Sequence, residues 1–123
     1  MNNPKKIFVS KGLRGQENPE AYHARCIEAV KQYYAGLGEE IEILESTKVS
    51  NTFDSSDIKN RIHCLGNTIA NELAYCDVAV FMDNWQNYDG CRCEQYIAMR
   101  YGIECIHLGS QIRSFNIDTV APS

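Results

Sequence analysis

CDVAVFMDNWQNYDGCRCEQYIAMRYG, residues 76–102, is the stretch whose reading decides the fold. Val78–Met82 is an unbroken apolar run, as expected for a strand covered on both faces of a parallel sheet. Asp83–Asp89 is polar and reads as a loop. From Gly90 to Tyr101 the pattern is helical, with Cys93, Ile97 and Tyr101 as one apolar stripe and Gly102 as the stop. This strand–loop–helix unit puts Glu94 in the first turn of a helix, just past the carboxyl end of a central strand. Open α/β sheets hold ligands at that point, although a helix dipole alone also favours a carboxylate there. Asp83 and Asp89 are further pocket carboxylates or ordinary loop and capping residues. Trp85 and Tyr88 are either a wall for a stacked base or loop anchors. Arg92 falls on a different helical face from Glu94 and is expected at the surface.

Working outward, Ile7–Ser10 is the first strand, and it runs into the loop SKGLRGQENP. Gly12 and Gly15 permit positive φ and close backbone approach to a ligand, and Ser10, Lys11 and Arg14 can donate to an anion. The loop is not a phosphate-binding P-loop, since it lacks G-K-[ST] at the required spacing. Asn18-Pro19-Glu20 starts a helix, and Tyr22, Cys26, Ala29, Val30 and Tyr33 form its apolar stripe through Leu37. Gly36 and Gly38 close it, and Ile41–Leu44 is the second strand. Glu45–Ser56 is polar, either a lid or specificity segment or a solvated connection. Residues 57–75 are weakly helical, with a break at Gly66-Asn67 that leaves Thr68–Tyr75 as the helix feeding Asp77–Met82. Ile103–Leu108 is a fourth strand, and Ser114–Ile117 is either a fifth or a segment packed on a neighbouring subunit. Strands alternating with helices give a small doubly wound α/β domain with a parallel sheet of four or five strands.

The chain has 123 residues, 44% of them apolar and 23% charged, which fits one ordinary globular domain. No apolar run approaches the roughly 20 residues that span a bilayer, and the N-terminal apolar run is too short for a signal peptide, so a cytoplasmic protein with no membrane partner is expected. A net charge of −4 without a basic cluster argues against a nucleic acid polymer as partner but allows a small anionic ligand. The six cysteines are expected as thiols in a reducing compartment, Cys76 and Cys105 as small buried hydrophobes. Cys91 and Cys93 form a C-x-C pair without a second pair at ligand spacing, so no metal is expected.

Two blocks resemble the nucleoside 2-deoxyribosyltransferase superfamily, which includes deoxynucleoside-monophosphate N-glycosidases and small phage and bacterial members. IFVSKGLRG, residues 7–15, is similar to the family's first strand and its S-G-P-[IM]-x-G or G-S-I-R-G loop. Residues 76–106 are similar to its strand, loop and G-x-x-x-E-x-x-x-A-x-x-x-G helix, represented here by Gly90, Glu94, Ala98 and Gly102. The resemblance implies a flavodoxin-like fold, no cofactor, and a homo-oligomer in which a neighbouring chain closes the pocket. It also implies that Glu94 is a nucleophile toward C1′ of a 2′-deoxynucleoside or its 5′-monophosphate. Ser10, Gly12, Arg14 and Gly15 match the loop around the sugar and 5′-phosphate, and Asp83, Trp85 and Gly90 fall on the substrate side of the second block. The family carries an aspartate eight residues ahead of the residue equivalent to Asp77, where this chain has Ile69. Glu72, one helical turn on, substitutes for it or the pocket lacks that group; Asp89 is the other candidate proton donor. An enzyme acting on N-glycosidic bonds is thus the leading expectation. The alternatives are a nucleotide-binding module without turnover, serving as sensor or sponge, and an inherited fold with an idle crevice.

Overall fold

The computed structural model describes residues 3–13, 15–44 and 58–108. Four strands, β1 (Lys5–Ser10), β2 (Ile41–Ile43), β3 (Val78–Phe81) and β4 (Glu104–His107), form one parallel sheet in the order β2-β1-β3-β4. Three α-helices connect them: α1 (Pro19–Gly36), α2 (Ile58–Asn71) and α3 (Asp89–Arg100). This is the doubly wound, flavodoxin-like order, with the switch point between β1 and β3. Glu45–Ser56 and the expected strand at Ser114–Ile117 lie outside the described residues.

Side chains alternate across the sheet, and each face has its own core. Ile7, Val9, Val78, Val80 and Met82 pack with Cys26, Ile27, Ala29, Val30 and Tyr34 of α1. Phe8, Ala79 and Phe81 pack on the other face with Leu73 and with Ala98 of α3. The register pairs Ile7 with Val78, Phe8 with Ala79, Val9 with Val80 and Ser10 with Phe81. Ser10 therefore follows Phe8 onto the α3 face, at the carboxyl end of the strand.

Helix α1 starts as the sequence implies: the Asn18 side chain accepts from the Ala21 backbone N–H, and Pro19 occupies the first turn. Its buried stripe ends on Tyr34 rather than on Tyr33 and Leu37; Tyr33 is half-buried and Leu37 exposed. The expected break at Gly66-Asn67 does not occur. Gly66 lies at an exposed helical position with nothing near it, where one glycine costs only about 1 kcal/mol. The chain leaves the helix at Glu72 instead, where φ −123° and ψ −62° lead into a 3-10 turn over Leu73–Tyr75 that buries Leu73.

The phase of α3 also differs from the hydrophobic pattern. Its inward residues are Cys91, Glu94 and Ala98, with Ile97 half-buried, whereas Cys93 and Tyr101 are exposed. Tyr96, Met99 and Tyr101 are 67%, 63% and 79% exposed, while Glu94 is only 7% exposed. A helix that turns its carboxylate inward and its large apolar side chains outward has been oriented by something other than apolar burial alone. The orienting contact is at the carboxyl end of β1.

Candidate active site

At that end of the sheet the Ser10 hydroxyl donates a 2.6 Å hydrogen bond to Oε1 of Glu94, and both residues are buried. The bond joins residues 84 apart in sequence and rests on the two central strands' register. Because α3 begins at Asp89, Glu94 sits in its second turn and not the first. The helix dipole acts mainly within the first turn, so it does not explain a carboxylate at this depth.

Burial drives the Glu94 carboxyl up to about 7, because the charged form loses its hydration. The Ser10 hydroxyl and the Lys11 ammonium work against that rise, and the Glu72 carboxylate adds to it. Glu72 is itself 8% exposed, at the point where α2 gives way to the 3-10 turn. The Glu94 carboxyl on α3 thus feels a second buried carboxyl group, at the end of α2. Cys91, one turn before Glu94 on the same face, has its thiol pushed up to about 12 by burial and by the neighbouring Glu94. It stays protonated at neutral pH and is no nucleophile there.

The two loops flanking this pair are tied together. Gly12 donates its N–H to Oδ1 of Asn84 at 3.1 Å, and Nδ2 of Asn84 donates to the Gly12 carbonyl at 3.0 Å. The side chain of Gln16 also donates to the Gly12 carbonyl, at 3.3 Å. A side chain at Gly12 would run into the ring of Tyr88, whose hydroxyl lies 4.0 Å from where a Cβ of Gly15 would be. Gly15 has the positive φ (85°) expected of it. On the α1 side, the Tyr22 hydroxyl donates to Oδ1 of Asp83 at 2.8 Å, tethering the turn after β3, and burial raises the phenol's pKa.

The structure bonds Ser10 to Glu94 with Glu72 in electrostatic reach, sets Gly12 and Gly15 beside the Tyr88 ring, and holds Asp83 against Tyr22 on the α1 side. It leaves others apart. Asp89 is exposed over 83% of its side chain and is ion-paired with Arg92 on the outer surface of α3. Trp85 packs as an anchor on Phe81 and His107, with ring centroids 5.8 and 5.2 Å away. Gly90 faces Leu65 of α2. Ile69 belongs to the apolar cluster around Phe8 and Phe81. Arg14 lies outside the described residues.

Asn84 and the tethering role of Tyr22 were not anticipated from sequence, since their partners lie 72 and 61 residues away. Cys91 had a usable signal in its i, i+3 relation to Glu94. Among the described residues, no three His, Cys, Asp or Glu side chains gather as metal ligands. Nor is any helix there long and apolar enough to cross a membrane.

Chemically, the site offers a carboxylate in a dry setting, a hydroxyl that orients it, and a second carboxyl within electrostatic reach. That set suits attack on an electrophilic carbon with proton delivery to a leaving group. In comparisons with known proteins, no family model matches this chain, and neither a curated protein nor a solved structure matches it significantly.

Proposed function

We propose that the protein cleaves or transfers the N-glycosidic bond of 2′-deoxynucleosides or their 5′-monophosphates, with Glu94 as the nucleophile. One carboxylate oxygen of Glu94 bonds to C1′ while the C1′–N bond breaks and its electron pair leaves with the base. The departing base takes up a proton from solvent, passed on by the Glu72 carboxyl. The deoxyribosyl ester on Glu94 then passes the sugar to another base or to water. The observation that carries this reading is the buried Ser10–Glu94 pair at the switch point between β1 and β3. Burying a carboxylate is costly, and a fold that turns Tyr96 and Met99 outward to do so retains it for a reason other than stability. Its nearness to Glu72 favours that residue over Asp89 as the acid.

The exposed apolar residues of α3 support a homo-oligomer, and six unbridged cysteines are compatible with a reducing cytoplasm. A second reading, a nucleotide-binding module without turnover, is favoured by one observation: Ile69 is committed to the apolar core and offers the crevice no acid. Incubating the protein with deoxynucleosides and deoxynucleoside monophosphates, and following free base by chromatography, separates the two. Base release by wild type but not by Glu94→Gln supports the enzyme. Ligand returned intact after stabilising the fold supports the binding module.

A further inference from the structure

We propose that Tyr88 is the specificity-determining residue of this site: its ring fills the seat over the glycine loop and selects a ligand with an uncharged 5′ end. The inference rests on the reading of the site given above and narrows its substrate to the free deoxynucleoside.

A glycine loop at the end of the first strand holds an anion in two ways. It offers backbone N–H groups, and its missing side chain lets the ligand come close. Here both are already taken at Gly12. Its N–H is spent on Oδ1 of Asn84, and its carbonyl accepts from Asn84 and from Gln16. The space that a missing Cβ leaves is occupied by the Tyr88 ring, which spans from Gly12 toward Gly15. Gly12 is thus a glycine because an aromatic ring lies against it.

The charges point the same way. A phosphate seated here would lie close to Ser10 and so to the buried Glu94 carboxyl that Ser10 bonds. Among the described residues of the loop, the Lys11 ammonium reaches back to the Val9 carbonyl at 3.5 Å and acts on Glu94 and Cys91. A sugar with a free 5′-hydroxyl carries no charge and avoids that repulsion. Trp85, the other aromatic of this loop, is held by Phe81 and His107.

The test compares a deoxynucleoside with its 5′-monophosphate, both as substrates of wild type and Tyr88→Ala and as ligands of Glu94→Gln with and without Tyr88→Ala. Wild type should favour the nucleoside by at least about tenfold in kcat/KM, and Tyr88→Ala should shrink that preference about tenfold by gaining on the monophosphate. Tyr88→Phe, which keeps the ring, should retain the preference and so separates bulk from the hydroxyl. Calorimetric binding to the Glu94→Gln protein should show the same order with no chemistry involved. If the nucleoside binds selectively but no base is released, the enzymatic reading fails and the assignment of Tyr88 stands. If the monophosphate is used or bound at least as well as the nucleoside, or Tyr88→Ala leaves the ratio unchanged, the assignment of Tyr88 is overturned. Failure of both ligands to bind overturns it as well.

Discussion

Replacing Glu94 with glutamine should make the fold more stable at alkaline pH, by an amount that vanishes in acid. The carboxyl of Glu94 is raised from 4.5 to about 7 by burial, so the folded chain binds its proton more tightly than the unfolded chain does. At 1.36 kcal/mol per pH unit, the rise corresponds to about 3 kcal/mol. The sign follows from which state holds the proton. Below the unfolded value, Glu94 is protonated in both states and its burial carries no charge penalty. Between 4.5 and 7 the unfolded chain loses the proton first, so stability falls as pH rises. Above 7 the native state bears the full cost of a buried carboxylate. Glutamine keeps a carbonyl oxygen for the Ser10 hydroxyl and never ionises. The stability difference between Glu94→Gln and wild type should therefore grow by about 3 kcal/mol between pH 4.5 and 8.5, on the order of 10 °C in Tm for a domain of this size. Urea denaturation at closely spaced pH values measures it, and taking the difference cancels every group the two proteins share. Parallel stability curves across that range would refute the account of Glu94 as a desolvated carboxyl.

Ser10→Ala removes the donor that favours the ionised form of Glu94, so the acid limb of the kcat/KM profile should move to higher pH. Urea denaturation at pH 8 should show about 2 kcal/mol of lost stability. Glu72→Gln removes a charge that raises the Glu94 carboxyl; it should shift the same limb to lower pH while reducing kcat, which a pH–rate series resolves. Asn84→Ala strands the N–H of Gly12 and removes one of the two side-chain donors to its carbonyl, and should cost roughly 1–3 kcal/mol in chemical denaturation.

The strands were legible because those buried on both faces read as apolar runs. Val78–Phe81 could be placed to within a residue on that basis, and β1 was found from Ile7 onward. The start of α1 was equally open, with Asn18 and Pro19 in their standard capping roles. The phase of α3 was not legible. Periodicity assumes that apolar side chains win the inside of a helix, which selected Cys93, Ile97 and Tyr101. The buried hydroxyl of Ser10 gives Glu94 a partner that overrides this rule, and no local pattern records a bond across 84 residues. That Glu94 lies on the helix following β3 was therefore readable, but its depth and its turn of the helix were not. Gly12 shows the converse limit. Its need for closeness was readable, whereas the neighbour responsible, Tyr88, is visible only in three dimensions. Asp89 looked like a pocket acid because it precedes the motif, yet the helix begins there and turns it outward to Arg92.

The measurement that bears most directly on Glu94 as a nucleophile is release of free base from a panel of 2′-deoxynucleosides and their 5′-monophosphates, with intact-mass analysis of the protein during turnover. The account predicts base release by wild type, a deoxyribosyl adduct that maps to Glu94, and neither from Glu94→Gln. Equal release by the two proteins, or none by wild type with any member of the panel, would contradict it.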